Sequence, residues 1–126
     1  MINYRLHQKV NPRALDEPRK YYAIAKSTRT VDVRELAEQI SLEVSLGSPD
    51  VLAVLESLLI NIPKNLKHGH IVKLRDFGTF RLNLKSEGAD LEEDFSEQMI
   101  KGTKVNFRPD PLFLQSFSFL KYQKID

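Results

Sequence analysis

The stretch that decides the fold is HIVKLRDFGTFRLNLKSEGADLEEDFSEQMIKGTKVNFRPD, residues 70–110. It opens as a strand over 70–76, with Ile71, Lys73 and Arg75 alternating against Val72 and Leu74. Gly78 is the expected turn. Phe80, Leu82 and Leu84 then share one face, and Arg81, Asn83 and Lys85 take the other. Past residue 100 the same code returns: Val105 and Phe107 alternate with Lys104, Asn106 and Arg108 before Pro109-Asp110-Pro111 breaks the ladder. Between these ribbons, residues 86–98 carry Glu87, Asp90, Glu92, Glu93, Asp94 and Glu97 with no lysine or arginine. Leu91, Phe95 and Met99 recur there at four-residue intervals, the spacing of a short helix.

Upstream of this stretch the pattern turns helical. Asp32 starts a first helix, with Glu35 placed to reach back in a capping-box arrangement. Val33, Leu36, Ala37, Ile40 and Val44 supply its apolar stripe, and Gly47 ends it. Ser48-Pro49-Asp50 opens a second helix with a cap, a proline at the first helical position and an acid at the positive end of the dipole. Its apolar face runs through Val51, Leu52, Leu55, Leu58, Leu59 and Ile62, and Val54 and Ile60 widen it. A helix apolar on so many sides must be covered on more than one front, between elements or at a dimer interface. Pro63 is expected to bend it, and Lys67-His68-Gly69 to terminate it.

The N-terminal segment alternates Ile2, Tyr4 and Leu6 against Asn3, Arg5 and His7, and residues 20–26 form a partner strand across a proline-rich connection. A helical turn at 112–117 and a last strand at 119–125 complete the order. The fold class is α+β: a helical hairpin packed on a mostly antiparallel sheet.

Composition narrows the function. The chain has 126 residues, 19 basic and 17 acidic, for a net charge of +2. Six of the acids lie in 86–98, leaving 19 cations against 11 carboxylates elsewhere, a basic body with an acidic insert. Such a body suits a polyanion partner, and it is equally the look of a solvated protein surface. Zero cysteines exclude disulfides and thiolate chemistry and fit a cytoplasmic setting. No run of 18 uncharged apolar residues exists, so no membrane span is expected, and the start carries no secretory signal.

Catalytic and metal chemistry find no constellation. His68 and His70 flank a glycine without a third ligand, six carboxylates in one segment lack a pocket to separate their pKa values, and no glycine-rich phosphate loop or nucleophile elbow occurs. We expect no enzyme, no cofactor and no metal. Tyr21 and Tyr22 could meet bases, but in a two-sided strand one of them is ordinarily core.

The helical hairpin, then HGHIVKLRDFGTFRL, then KVNFRPDP, resembles the HU/IHF family of bacterial histone-like proteins, in its longer Bacteroidetes-type variant. The resemblance rests on Asp76-Phe77-Gly78-Thr79-Phe80 and Phe107-Arg108-Pro109. It implies an IHF-like DNA-binding fold: one HU-like domain over 1–126, with an N-terminal hairpin extension (1–31), a core (32–117) and a C-terminal strand (118–126). It further implies a homodimer with Leu55, Leu59, Phe77, Phe80 and Phe107 in its core. Nucleoid-associated, architectural binding of duplex DNA without sequence preference follows, in the cytoplasm. Lys73, Arg75, Arg81, Asn83, Lys85, Lys104 and Arg108 are the candidate DNA contacts. The family's cationic, proline-tipped arm is replaced here by the acidic segment 86–98, so its wedge contacts do not carry over. The alternative is a fold kept for protein interaction, with 86–98 as the partner site.

Overall fold

In the computed structural model, which describes residues 1–125, the chain divides into two compact units. One comprises 33–116; the other comprises 1–32 and the residues from 117 onward.

The second unit is one mixed sheet. β1 (Ile2–Lys9) and β2 (Lys20–Lys26) pair antiparallel from Asn3↔Lys26 to Lys9↔Lys20. The last strand of the chain, Tyr122–Lys124, is shorter than the expected 119–125 and adds to β1 in parallel, Ile2 opposite Tyr122. Its ends are fixed by Ile2 N–H to Lys121 O (2.8 Å) and Ile125 N–H to Tyr4 O (2.8 Å).

The first unit begins with α1 (Val33–Ser41), which stops three residues before Val44. The Ser41 hydroxyl donates to the Glu38 carbonyl at 2.7 Å, a local bond that competes with helix propagation. The chain then turns through Glu43 and Val44 N–H groups that both bond to Ile40 O. α2 (Ser48–Lys67) starts one residue earlier than a Ser48 cap requires. Gly47 is the N-cap, and its carbonyl, not a side chain, accepts from Asp50 and Val51. Pro63 sits inside α2 without ending it.

The C-terminus of α2 closes as a Schellman motif. Gly69 N–H bonds Leu66 O at 3.0 Å and His70 N–H bonds Asn65 O at 3.1 Å, with Gly69 at φ +79°. The Asn65 Oδ1 also meets His70 Nδ1 at 3.1 Å, tying the turn back to the helix.

β3 (Val72–Leu74) is three residues long rather than the expected seven. The turn that ends it lies at Arg75-Asp76-Phe77, closed by Phe77 N–H to Leu74 O (3.1 Å), with Asp76 in the left-handed region at φ +57°. Aspartate tolerates that conformation better than most residues. Gly78 is therefore not the turn but the first residue of β4 (Gly78–Ser86), and it is buried. β4 pairs antiparallel with β3 and along its whole length with β5 (Ile100–Pro109).

The acidic segment does not form one helix. It makes two single 3-10 turns, Glu92–Asp94 and Glu97–Met99, separated by extended Phe95 and Ser96. A dozen residues with adjacent like charges fall at the margin of helix nucleation, so isolated turns win. A bulge between Lys85 and Ser86 opposes β4 to Gly102 and then Ile100, skipping Lys101. Finally, α3 (Pro111–Gln115) is capped by Asp110, whose carboxylate accepts from Leu112 N–H at 3.0 Å, with Pro111 in the first turn.

The interior of the chain is thin. Among the described residues only Ala37, Val51 and Leu66 are buried apolar side chains, while Val54, Leu59 and Ile60 on α2 stand 61%, 54% and 66% exposed. Leu55 is half-buried. Phe77, Phe80, Phe107 and Phe113 form a ring cluster, with centroids 4.8 to 5.4 Å apart, yet Phe77 and Phe107 remain open to solvent on one side.

Candidate nucleic-acid interface

Strand register decides which side chains meet. Residues directly opposite in an antiparallel pair project to the same face, and alternate residues along a strand do too. Lys73 lies opposite Thr79, and Thr79 opposite Arg108. The next rows on that face pair Arg81 with Asn106, Asn83 with Lys104, and Lys85 with Gly102. Five cations therefore share one face of β3-β4-β5: Lys73, Arg81, Lys85, Lys104 and Arg108. All five are exposed, and none of the three strands contains an acidic residue. A hollow of about 570 Å³ lies over this surface, lined by Thr79, Arg81, Asn83, Asn106 and Arg108 and bordered by Phe107 and Pro109.

The opposite face carries Val72, Leu74, Phe80, Leu82, Val105 and Phe107. One side of the sheet is thus apolar and the other cationic, as an antiparallel sheet with one solvated face should be.

Of the residues expected at the site, Arg75 departs. It lies in the turn after β3, beside its neighbour's carboxylate, with Arg75 Nε 3.6 Å from Asp76 Oδ2. Both side chains are largely exposed, so the pair contributes little. The polar residues Thr79 and Asn106, not among the expected contacts, complete its rows. Phe113 was likewise missed in the aromatic cluster, where it lies 4.8 Å from Phe77. Its signal was the Asp-Pro cap, which fixes the helix that carries it.

The acidic segment sits at the far end of the hairpin. From Thr79 to Lys85 the strand extends about 20 Å, roughly two Debye lengths at physiological salt. The carboxylates of 90–97 are thus screened from Lys73 and Arg108, while Lys85 feels them most. At the base of the loop Glu87 pairs with Lys101 at 3.5 Å, and Glu87 N–H bonds Met99 O at 2.9 Å.

Among the described residues no group of three or more histidine, aspartate or glutamate side chains is placed to hold a metal ion. His68 and His70 have ring centroids 5.9 Å apart. No helix among the described residues is long and apolar enough to cross a membrane.

A family model described as an HU domain fused to a wHTH, Ig or glycine-rich motif matches residues 1–124. The chain belongs to this HU-like family. Its fold is similar to the crystal structure of a candidate bacterial DNA-binding protein from Bacteroides vulgatus ATCC 8482, with a TM-score of 0.66 at 9% identity. That match covers 98% of this chain and 48% of the other, so the HU-like chain spans about half the length of that protein. No curated protein matches the chain. The HU-like family is one of DNA-binding proteins rather than enzymes, and it supports DNA binding in an architectural role.

Proposed function

We propose that this HU-like chain is a nucleoid-associated architectural protein that binds duplex DNA without sequence preference, as a homodimer, through the cationic face of β3-β4-β5. The observation that carries the reading is the strand register that gathers Lys73, Arg81, Lys85, Lys104 and Arg108 on one acid-free face. Lysine and arginine on a sheet contact phosphates, which fix position but carry no sequence information. Each neutralised phosphate releases counterions, so affinity falls with salt at a slope of about −0.9 per contact. Five contacts give a slope near −4.5 for one protomer's face, roughly doubled when two faces act together.

The homodimer is supported by the thin interior. Three buried apolar side chains do not stabilise a chain of this size, whereas a second copy laid on α2 and the phenylalanine cluster would cover Leu55, Leu59, Phe77, Phe80 and Phe107. The arm tip lacks a cation and a proline, so the proposal includes no side-chain wedge and no sharp bend.

A second reading keeps the fold for protein binding through residues 86–98, where Leu91 and Phe95 stand exposed among the carboxylates. Titration of random-sequence duplex against salt separates the two. Steeply salt-dependent affinity supports DNA binding; no affinity even at low salt rejects it.

A further inference from the structure

The sheet formed by β1, β2 and the last strand contains no aspartate or glutamate in any of its strands. Its register sorts the side chains by chemistry. Tyr4 faces Ala25, Leu6 faces Ala23, and Ile2 faces Tyr122, which puts Ile2, Tyr4, Leu6, Ala23, Ala25 and Tyr122 along one apolar trough. The other face holds Asn3 opposite Lys26, Arg5 opposite Ile24, His7 opposite Tyr22, and Lys9 opposite Lys20.

Four cations thus stand on this second face, all exposed, and none has an ion-pair partner among the described residues. Lys9 and Lys20 are directly opposed, an arrangement in which like charges destabilise a strand pair. A solvated sheet face ordinarily relieves such a pair by interspersing acids, and here there is none. Lys9 Nζ lies 5.9 Å from the centre of the Tyr22 ring, which softens the repulsion without neutralising the charge. From Asn3 to Lys9 the strand runs about 20 Å, more than the ~12 Å width of the major groove, so its two ends reach phosphates on both sides of a groove. The exposed Tyr22 between them offers a hydroxyl of the kind that donates to phosphate oxygen.

We infer that the β1-β2 hairpin is a second duplex-DNA contact surface, binding the phosphate backbone through Arg5, Lys9, Lys20 and Lys26. It rests on the reading of duplex DNA as the ligand and extends the footprint beyond β3-β4-β5.

The test uses the full chain and a random-sequence 40-base-pair duplex. Replacing Arg5, Lys9, Lys20 and Lys26 together by Gln should flatten the salt slope by about 2 to 3.5, at roughly 0.9 per contact, and weaken binding at least tenfold at moderate salt. Because a quadruple variant can misfold, lysine acetylation of the wild-type chain with and without duplex gives an independent readout. Lys9, Lys20 and Lys26 should be protected by DNA. An unchanged slope, or lysines labelled equally in both states, overturns the second surface while leaving the first in place. A wild-type chain that binds no duplex at low salt overturns both together.

Discussion

The ring of Phe107 lies directly over Gly78: a methyl group built on the glycine would stand 2.5 Å from one ring carbon and 2.7 Å from the Arg108 carbonyl oxygen. The glycine is there to let an aromatic from the adjacent strand close over the backbone. Gly78→Ala must push Phe107 off Phe77 and Phe80, its cluster partners at 5.4 and 4.8 Å. Overpacking of this kind costs about 1–3 kcal/mol. Urea denaturation should show a lower midpoint with an unchanged m-value.

Asp110→Ala removes the acceptor of the Leu112 N–H at the start of α3. The loss should be about 1 kcal/mol, the usual cost of deleting an N-cap, and Asp110→Asn should restore most of it. Thermal melting of the two variants side by side checks the pair.

Much of this was legible in residue order. Alternation in residues 80–85 and 104–108 assigned both faces of the arm, because a half-solvated strand cannot hide a period of two. Lys67-His68-Gly69 announced the end of α2, since a left-handed glycine closes a Schellman motif with little strain. The turn before β4 was misplaced by two positions: Gly78 looked like a turn residue, while Asp76 took the positive φ and Gly78 served packing instead. That distinction depends on Phe107, 29 residues away, which no local pattern reports. The acidic segment misled in another way. Leu91, Phe95 and Met99 have helical spacing, but no packed surface rewards it, and two 3-10 turns result.

Neutralising the arm tip should strengthen DNA binding. Glu92→Gln, Glu93→Gln and Asp94→Asn remove three negative charges beyond Lys85, and at distances near 20 Å in water each carboxylate–phosphate repulsion is about 0.2 kcal/mol. Summed over the phosphates bound along the face, affinity should rise a few-fold at low salt and hardly at all at 0.3 M, where the Debye length is about 5 Å. Fluorescence anisotropy at both salt concentrations measures the difference. Equal gains at both would point to contacts other than screened repulsion.

Leu59 is 54% exposed on α2 in the single chain and faces the second copy in the proposed homodimer. Leu59→Glu should abolish dimerisation, because burying an unpaired carboxylate costs several kcal/mol. Light scattering should report twice the chain mass for the wild type and a monomeric or unfolded species for the variant. A wild-type monomer that melts cooperatively would contradict the dimer.

Duplex binding rests, in this proposal, on the cationic face of β3-β4-β5. Its most direct test compares the salt slope of duplex binding for the wild type with that of the variant Arg81→Gln, Lys85→Gln, Lys104→Gln. The expected slope is flatter by about 2.7 per protomer face, from three lost phosphate contacts, with the fold retained by circular dichroism. A folded variant whose slope and affinity equal those of the wild type would contradict it.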